Sequence, residues 1–332
     1  MKRGVEAQLE AFFAAERARL VDLAPDAAEL LDAIAGFTMR GGKRFRPALA
    51  FAAYRSVRPE GTFADVADAC AALELLQSYL LIHDDWMDGD DERRGGPAVH
   101  ALLRRGRLPH LGDSLAILAG DLASAQSWRL LTRGVSSAER GAAAMEVALR
   151  MHEEVIIGQQ LDLIGSADVS RMHQLKTGSY TVRGPLALGA VLGGASAAQR
   201  EALDRFGGPI GEAFQMRDDL LGAFGDPRET GKPAGNDLRA GKHNAVIRAA
   251  EERCSEVELA PVRAVLGRAD ASDAEVRAAL EVIERSGARA DVEARLGALL
   301  ERALAELERA PLAEPGRTML RELSERLAVR SS

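Results

Sequence analysis

Cysteine is nearly absent from this chain. Cys70 and Cys254 stand far apart without CxxC spacing, which excludes a disulfide framework and a thiolate metal site. Aromatic residues make up only 4% of the sequence while Ala, Leu, Glu and Arg dominate, so composition favours helices over strands and an all-α fold is expected. Positive charge is not in excess either. The net charge is -7 with acids and bases interspersed, so there is no broad basic face to follow a nucleic-acid backbone. No uncharged stretch reaches membrane-spanning length, and Met1-Lys-Arg-Gly runs into Glu6, Glu10 and Glu16 where a signal peptide needs an apolar core and a cleavage site. A cytosolic protein with no nucleic-acid partner and no membrane span is expected. At 332 residues the chain can build a large core, and no repeat, low-complexity tract or linker divides it, so a single domain over 1–332 is expected.

Acids, by contrast, stand in an unusual place. After Leu80 an apolar run ends in His83-Asp84-Asp85-Trp86-Met87-Asp88, followed by Arg93-Arg94. If helix continues to Gly89, Asp84 and Asp88 lie one turn apart on one face, with Asp85 at i,i+3 from Asp88. Burying unpaired carboxylates is costly, so these oxygens ask for a cation. Clustered carboxylates without Cys or ligand-spaced His suit a hard ion, Mg2+ in particular. A solvated acidic helix end stopped by Gly89 fits the same residues. A second pair, in Phe214-Gln215-Met216-Arg217-Asp218-Asp219, closes another apolar helical pattern 134 positions later, counted from Asp84 to Asp218. Two such helices fit a bundle that sets carboxylates across a cavity.

Bases and glycines cluster as well. In Arg40-Gly-Gly-Lys43-Arg44-Phe45-Arg46-Pro47 the glycines permit an unusual turn, while Lys43 offers a point charge and Arg46 a planar fork. The combination suits a diphosphate; it also fits a plain basic turn before a Pro-initiated helix. Gln77 is the one uncharged amide in the second half of the helical pattern over 62–87. Arg93 and Arg94 can pair with the aspartates or with an anion. Lys176 and Thr177 offer phosphate a charge and a hydroxyl, and Gly178 and Pro185 predict a break in the helix that carries them. Asp121, in otherwise apolar surroundings, reads as a core acceptor or as a group supporting the site from behind, the structural role being favoured. Residues 230–242, with Lys232 and Lys242 among turn residues, read as a closing lid beside the second acidic pair. Helical patterns at 6–23, 26–34, 245–251, 274–283, 288–307 and 317–327 read as scaffold, Ser272 and Glu275 forming a capping box, while in the pattern at 138–163 the polar groups of Gly158-Gln-Gln-Leu-Asp162 interrupt the apolar face.

Taken together, Gly41-Gly42-Lys43-Arg44-Phe45-Arg46-Pro47, the His83–Asp88 motif with Arg93-Arg94-Gly95, Lys176-Thr177 and the Phe214–Asp219 motif resemble the trans-prenyltransferases, the isoprenyl diphosphate synthases. The resemblance spans essentially the whole chain. It implies an all-α bundle around a deep central cavity, usually a homodimer, condensing isopentenyl diphosphate with an allylic diphosphate. It further implies Mg2+ ligated by Asp84, Asp88 and Asp218, with Asp85 and Asp219 in direct or water-mediated support. Arg93, Lys176, Thr177, Gln215 and Lys232 would hold the allylic diphosphate with Lys242 nearby, and Lys43, Arg46, Gln77 and Arg94 would hold isopentenyl diphosphate.

Three departures from the family pattern stand out. Gln77 occupies a position where many members have His, Gly222 one where a third Asp is common, and no extra residues separate Asp85 from Asp88. Leu80 lies one turn before Asp84 and Leu76 two turns before, so both line the expected tail pocket, with Tyr79 as its bulky neighbour. By resemblance an aromatic at Tyr79 implies geranylgeranyl diphosphate as product, with farnesyl diphosphate as the alternative. A class I terpene cyclase has no second diphosphate to hold, and a non-catalytic partner subunit would be expected to have lost one acidic motif. The retained basic turn and paired acids argue against both.

Overall fold

The computed structural model describes residues 1–135, 138–166, 168–225 and 234–328. It is all-α, as composition predicts, apart from one two-stranded hairpin. The described chain forms two compact units.

The first unit comprises Met1–Val155, Tyr180–Asp204 and Ala310–Leu320. It holds α1 (Lys2–Leu23), α2 (Ala28–Met39), α3 (Phe45–Val57), α4 (Ala67–Asp88), the strands β1 (Glu92–Arg93) and β2 (Gly96–Pro97), α5 (Val99–Leu103) and α6 (Pro109–Arg133). It also takes most of α7 (Ala138–Leu163) and, after a π-helical segment (Gln174–Arg183), all of α9 (Gly184–Gly193). The α4 helix is its axis. Thr62 and Asp65 form a capping box that opens a short 3-10 turn leading into α4, and Gly89 stops the helix in the left-handed region at φ 70°. The main partner of α4 is α6. Their register is antiparallel: a Cβ on Gly120 would run into the His83 ring, and one on Gly134 would meet Asp68. Leu9, Leu31, Ile34, Leu75, Ile82 and Leu130 are fully buried around this pair. At about 1.5–3 kcal/mol for each such side chain, packing outweighs any single cap, worth about 1 kcal/mol. By composition α4 with its 3-10 lead-in is apolar enough to cross a membrane, yet 61% of its most apolar window is buried in protein, as a core helix requires.

The second unit comprises Ile156–Ser179, Arg205–Arg309 and the chain from Arg321. It contains α8 (Val169–His173), most of α10 (Ala197–Phe224), α11 (Asn236–Arg239), α12 (Ala245–Glu251), α13 (Ala260–Val265), α14 (Asp273–Arg285), α15 (Ala288–Arg309) and much of α16 (Glu314–Ala328). The capping box at Ser272 and Glu275 forms as expected.

Several sequence expectations shift. Pro25 ends α1, but a 3-10 turn over Pro25–Ala27 delays α2 to Ala28. The α3 helix starts at Phe45, before Pro47, because first-turn amides have no helical partner and tolerate proline there. A short helix, α11, lies inside the stretch expected to be loop, and α13 was not foreseen. The break expected near Gly178 and Pro185 takes the form of the π-helical segment. Pro185 explains its end: the ring cannot donate to the Thr181 carbonyl four residues back and would clash with it in an α-turn.

Candidate active site

The acids at the end of α4 are held by the chain reversal that follows them. Beyond Gly89 the hairpin returns Arg93 to the helix end, where its Nε donates to Asp85 Oδ1 at 2.7 Å and its Nη2 contacts the same oxygen. The same guanidinium lies 3.7 Å from Asp84 and 3.4 Å from Asp90. Arg40 braces the hairpin from behind, donating to the Arg93 and Pro97 carbonyls at 3.2 and 2.8 Å, and Gly96 has no Cβ to obstruct it. The Asp85 side chain is 0% exposed. Burial pushes its carboxyl up to about 6; Arg93 opposes the rise, while Asp84 and Asp90 add to it. Asp85 Oδ2 is buried without a hydrogen-bond partner, a situation that costs about 1–3 kcal/mol. Asp84, partly buried, and Asp88, exposed, complete a set of hard oxygen donors one turn apart. This donor chemistry fits a divalent cation. Among the described residues no group of three or more His, Cys, Asp or Glu is gathered as a metal cage, so water or diphosphate oxygens would have to complete any coordination.

Beside the acids lies a basic pole. Gly41 and Gly42 adopt φ of 70° and 106°, and Arg44 the left-handed φ of 50°, turning the chain into α3. Arg44 is buried against Glu74 at 2.5 Å and donates to the Thr38 carbonyl at 3.0 Å, which pins the turn. Arg46 is 8% exposed; its Nη2 donates to Thr181 Oγ1 at 2.7 Å, its guanidinium stacks on Tyr180 at 4.2 Å, and its Nε has no partner. Burial lowers the Arg94 pKa; Glu74 resists the fall, while Arg44, Arg46 and Arg93 add to it. Among the described residues, these guanidinium groups meet Glu74 as a buried carboxylate, with Glu6 3.7 Å from Arg44, so positive charge is in excess and an anion would restore the balance. Lys43 is exposed at the turn and Gln77 half-buried on α4.

Towards the middle of α4, Leu76 is buried and Leu80 partly so. Tyr79 packs edge-on between the rings of His83 (5.0 Å) and His152 (5.1 Å), and Trp128 backs His152 at 5.4 Å. His83 Nε2 lies 3.0 Å from the Ile117 carbonyl. Burial lowers the His152 pKa, and its Nε2 is buried without a partner. Asp121 corrects its sequence reading: its side chain is 64% exposed, 3.9 Å from His83 Nε2, and is no core acceptor.

In the second unit Lys176 ion-pairs with Asp162 at 2.5 Å, and Thr177 is half-buried next to it on the π-helical segment. Gly158 gives the interrupted face of α7 its meaning, because a Cβ there would come within 2.5 Å of Lys176 Cα. On α10, Asp218 is exposed and Asp219 buried. Asp219 accepts from Gln215 Nε2 at 2.7 Å and from the Ala245 amide at 2.9 Å, so it ties α10 to the start of α12. Burial raises its carboxyl to about 6 against those two hydrogen bonds, with Asp237 adding to the rise and Lys242 opposing it. Lys242 is exposed. Lys232, and with it residues 230–233 of the expected lid, lies outside the described residues.

Gly222 also reads differently in space. The Asp237 carboxylate stands where its side chain would go, Cγ 2.7 Å from an ideal Cβ, and Asn244 Nδ2 holds Asp237 Oδ2 at 3.0 Å. Position 222 therefore lacks a carboxylate of its own but has one against it. Gly222→Asp should lower stability by about 1–3 kcal/mol through overpacking beside a like charge and bring no gain in turnover. A raised thermal midpoint or faster turnover would contradict this.

Sequence reasoning gave Arg40 and Arg44 no role beyond their place in the basic turn and missed Glu74, Tyr180, Thr181 and Asp237. Of these four only Glu74, a lone acid in the apolar run of α4, carried a visible signal.

Comparison with known proteins bears on the family and the fold. The polyprenyl synthetase family model matches residues 28–283. A geranylgeranyl diphosphate synthase of Mycobacterium tuberculosis is 37% identical over 255 residues, covering 74% of this chain and 69% of its own. A short chain isoprenyl diphosphate synthase of Methanothermobacter thermautotrophicus is 35% identical over 279 residues, covering 82% and 81%. The crystal structure of a Corynebacterium glutamicum geranylgeranyl pyrophosphate synthase, complexed with isoprenyl diphosphate and magnesium, superposes with a TM-score of 0.90 at 35% identity, covering 98% of this chain and 97% of that one.

Proposed function

This chain belongs to the polyprenyl synthetase family as a trans-prenyltransferase that condenses isopentenyl diphosphate with allylic diphosphates, and we propose that its main product is geranylgeranyl diphosphate. The observation that carries the reading is the basic pole around Arg94 beside the acid-rich end of α4. One pole suits a diphosphate bound by bases alone, the other a diphosphate bound with metal. An enzyme with a single diphosphate substrate has no need of both.

We assign divalent-metal binding, with Mg2+ as the ion, to Asp84, Asp88 and Asp218, supported by Asp85 and Asp219. When bound, the metal supplies positive charge that offsets the charge developing on the departing diphosphate. Arg93, Lys176, Thr177, Gln215, Lys232 and Lys242 serve the allylic diphosphate. Lys43, Arg46, Gln77 and Arg94 serve isopentenyl diphosphate. The allylic C–O bond breaks with its electron pair leaving on the diphosphate, and the resulting cation bonds to the double bond of isopentenyl diphosphate. The proton then released goes to the departed diphosphate, so no protein base is required. The chain acts as one cytosolic catalytic domain over 1–332 and as a homodimer, for which the exposed Leu111 and Leu118, two turns apart on α6, supply apolar surface.

Leu76 and Leu80 line the tail pocket, and Tyr79, buttressed by His83 and His152, forms its floor. Incubation with Mg2+, isopentenyl diphosphate and, separately, dimethylallyl, geranyl and farnesyl diphosphates should give a dominant geranylgeranyl product from protein sedimenting at twice 35.5 kDa. Tyr79→Ala should lengthen it by at least one isoprene unit. A wild-type product stopping at farnesyl would overturn the product assignment, unchanged length in the variant would remove Tyr79 as floor, and absence of elongation would overturn the reading altogether.

A further inference from the structure

Arg46 is a buried guanidinium, and what holds it comes from far along the chain. Thr181 is 0% exposed, and its Oγ1 accepts from Arg46 Nη2 at 2.7 Å. Tyr180 lies under the guanidinium face at 4.2 Å. These two residues are consecutive. In an α-helix consecutive side chains diverge widely, but Tyr180 and Thr181 belong to the π-helical segment, whose i→i+5 turns are wider and advance less in angle for each residue. The wider winding lets neighbours in sequence address one guanidinium from two sides. Pro185 contributes by denying the Thr181 carbonyl an α-type partner.

A stacked face and one anchored nitrogen fix the plane of the fork, and fixing that plane is what distinguishes recognition of a diphosphate from general attraction to it. Arg46 Nε remains buried with no acceptor. We propose that Tyr180 and Thr181 are positioning residues for isopentenyl diphosphate, acting by holding Arg46 so that its remaining donors meet the diphosphate oxygens. The inference rests on the assignment of Arg46 to that substrate.

Initial rates measured over both substrate concentrations separate the two ideas. Thr181→Val keeps the shape and removes the acceptor; it should raise KM for isopentenyl diphosphate about tenfold, the effect of roughly one hydrogen bond to a charged group, with kcat and the allylic KM changed less than about twofold. Thr181→Ser should restore the wild-type value. Tyr180→Leu, which removes the aromatic face, should raise the same KM and serves as the second probe if the valine variant folds poorly. Arg46→Ala is measured alongside. If it leaves the isopentenyl diphosphate KM unchanged, the substrate assignment of Arg46 fails. If Arg46→Ala raises that KM while Thr181→Val and Tyr180→Leu do not, the positioning role is overturned. It is equally overturned if the valine variant raises both KM values together with a lowered thermal midpoint, the mark of a simple structural strut.

Discussion

Asp84→Ala should lower kcat at saturating Mg2+ by about 10²–10³, the loss typical when one electrostatic stabiliser of a developing charge is removed. Asp84 is half-buried, one turn from Asp88 and 3.7 Å from the Arg93 guanidinium. Its charge is also one of those that raise the Asp85 carboxyl to about 6. Removing it relieves repulsion among neighbouring acids, so the Asp85 pKa should fall and the thermal midpoint should hold or rise. A drop in turnover without a drop in stability is thus the expected signature. Near-normal turnover would sink the metal assignment, and a large loss of stability would make Asp84 a structural residue.

Gly158→Ala should act in the opposite way, through the backbone. The added methyl would lie 2.5 Å from Lys176 Cα and 2.7 Å from the Leu175 carbonyl carbon, and neither is a flexible side-chain end that can swing aside. Either α7 or the π-helical segment must move. The expected cost is about 1–3 kcal/mol of overpacking, read as a lowered thermal midpoint. The shift also displaces Lys176 from Asp162, and misplacing a substrate-holding group by about 1 Å can cost roughly 10²-fold. kcat/KM for the allylic diphosphate should therefore fall about that far. Lys176→Ala makes the comparison decisive, since it should lose allylic binding while keeping the thermal midpoint. A Gly158→Ala enzyme with wild-type stability and kinetics would show that the crossing is looser than its geometry.

What was legible in the sequence was what is decided locally. Helical spacing, the stop at Gly89 and the capping box at Ser272 and Glu275 depend on residues within a turn or two of one another, and each appears as read. The acid and base motifs were visible because charge at the end of an apolar helix demands an explanation. What escaped was long-range. Arg46 and Thr181 are 135 positions apart, Arg44 and Glu74 are 30 apart, and no periodicity joins them. Asp121 was misread because Ala119, Gly120 and Ala123 beside it in sequence are buried while its own side points to solvent, as does the apolar Leu118 one turn before it. Gly222 was read as a missing carboxylate since only the fold brings Asp237 against it. The four-residue α11 is too short to carry a helical pattern at all.

The acids and Tyr79, the proposed floor, share one unbroken helix, and this makes α4 a ruler. From Tyr79 to Asp84 is five residues of α-helix, about 7.5 Å at 1.5 Å per residue. The distance is set by helical rise and cannot be stretched by loop motion or adjusted by small shifts of neighbouring helices. Leu76, Tyr79 and Leu80 stand at fixed heights along it, Leu76 about 6 Å farther from the acids than Leu80, so a bulky residue can be relocated only from one such mark to another. Product length on such a scaffold changes by graduations, and a single substitution moves the mark by one of them.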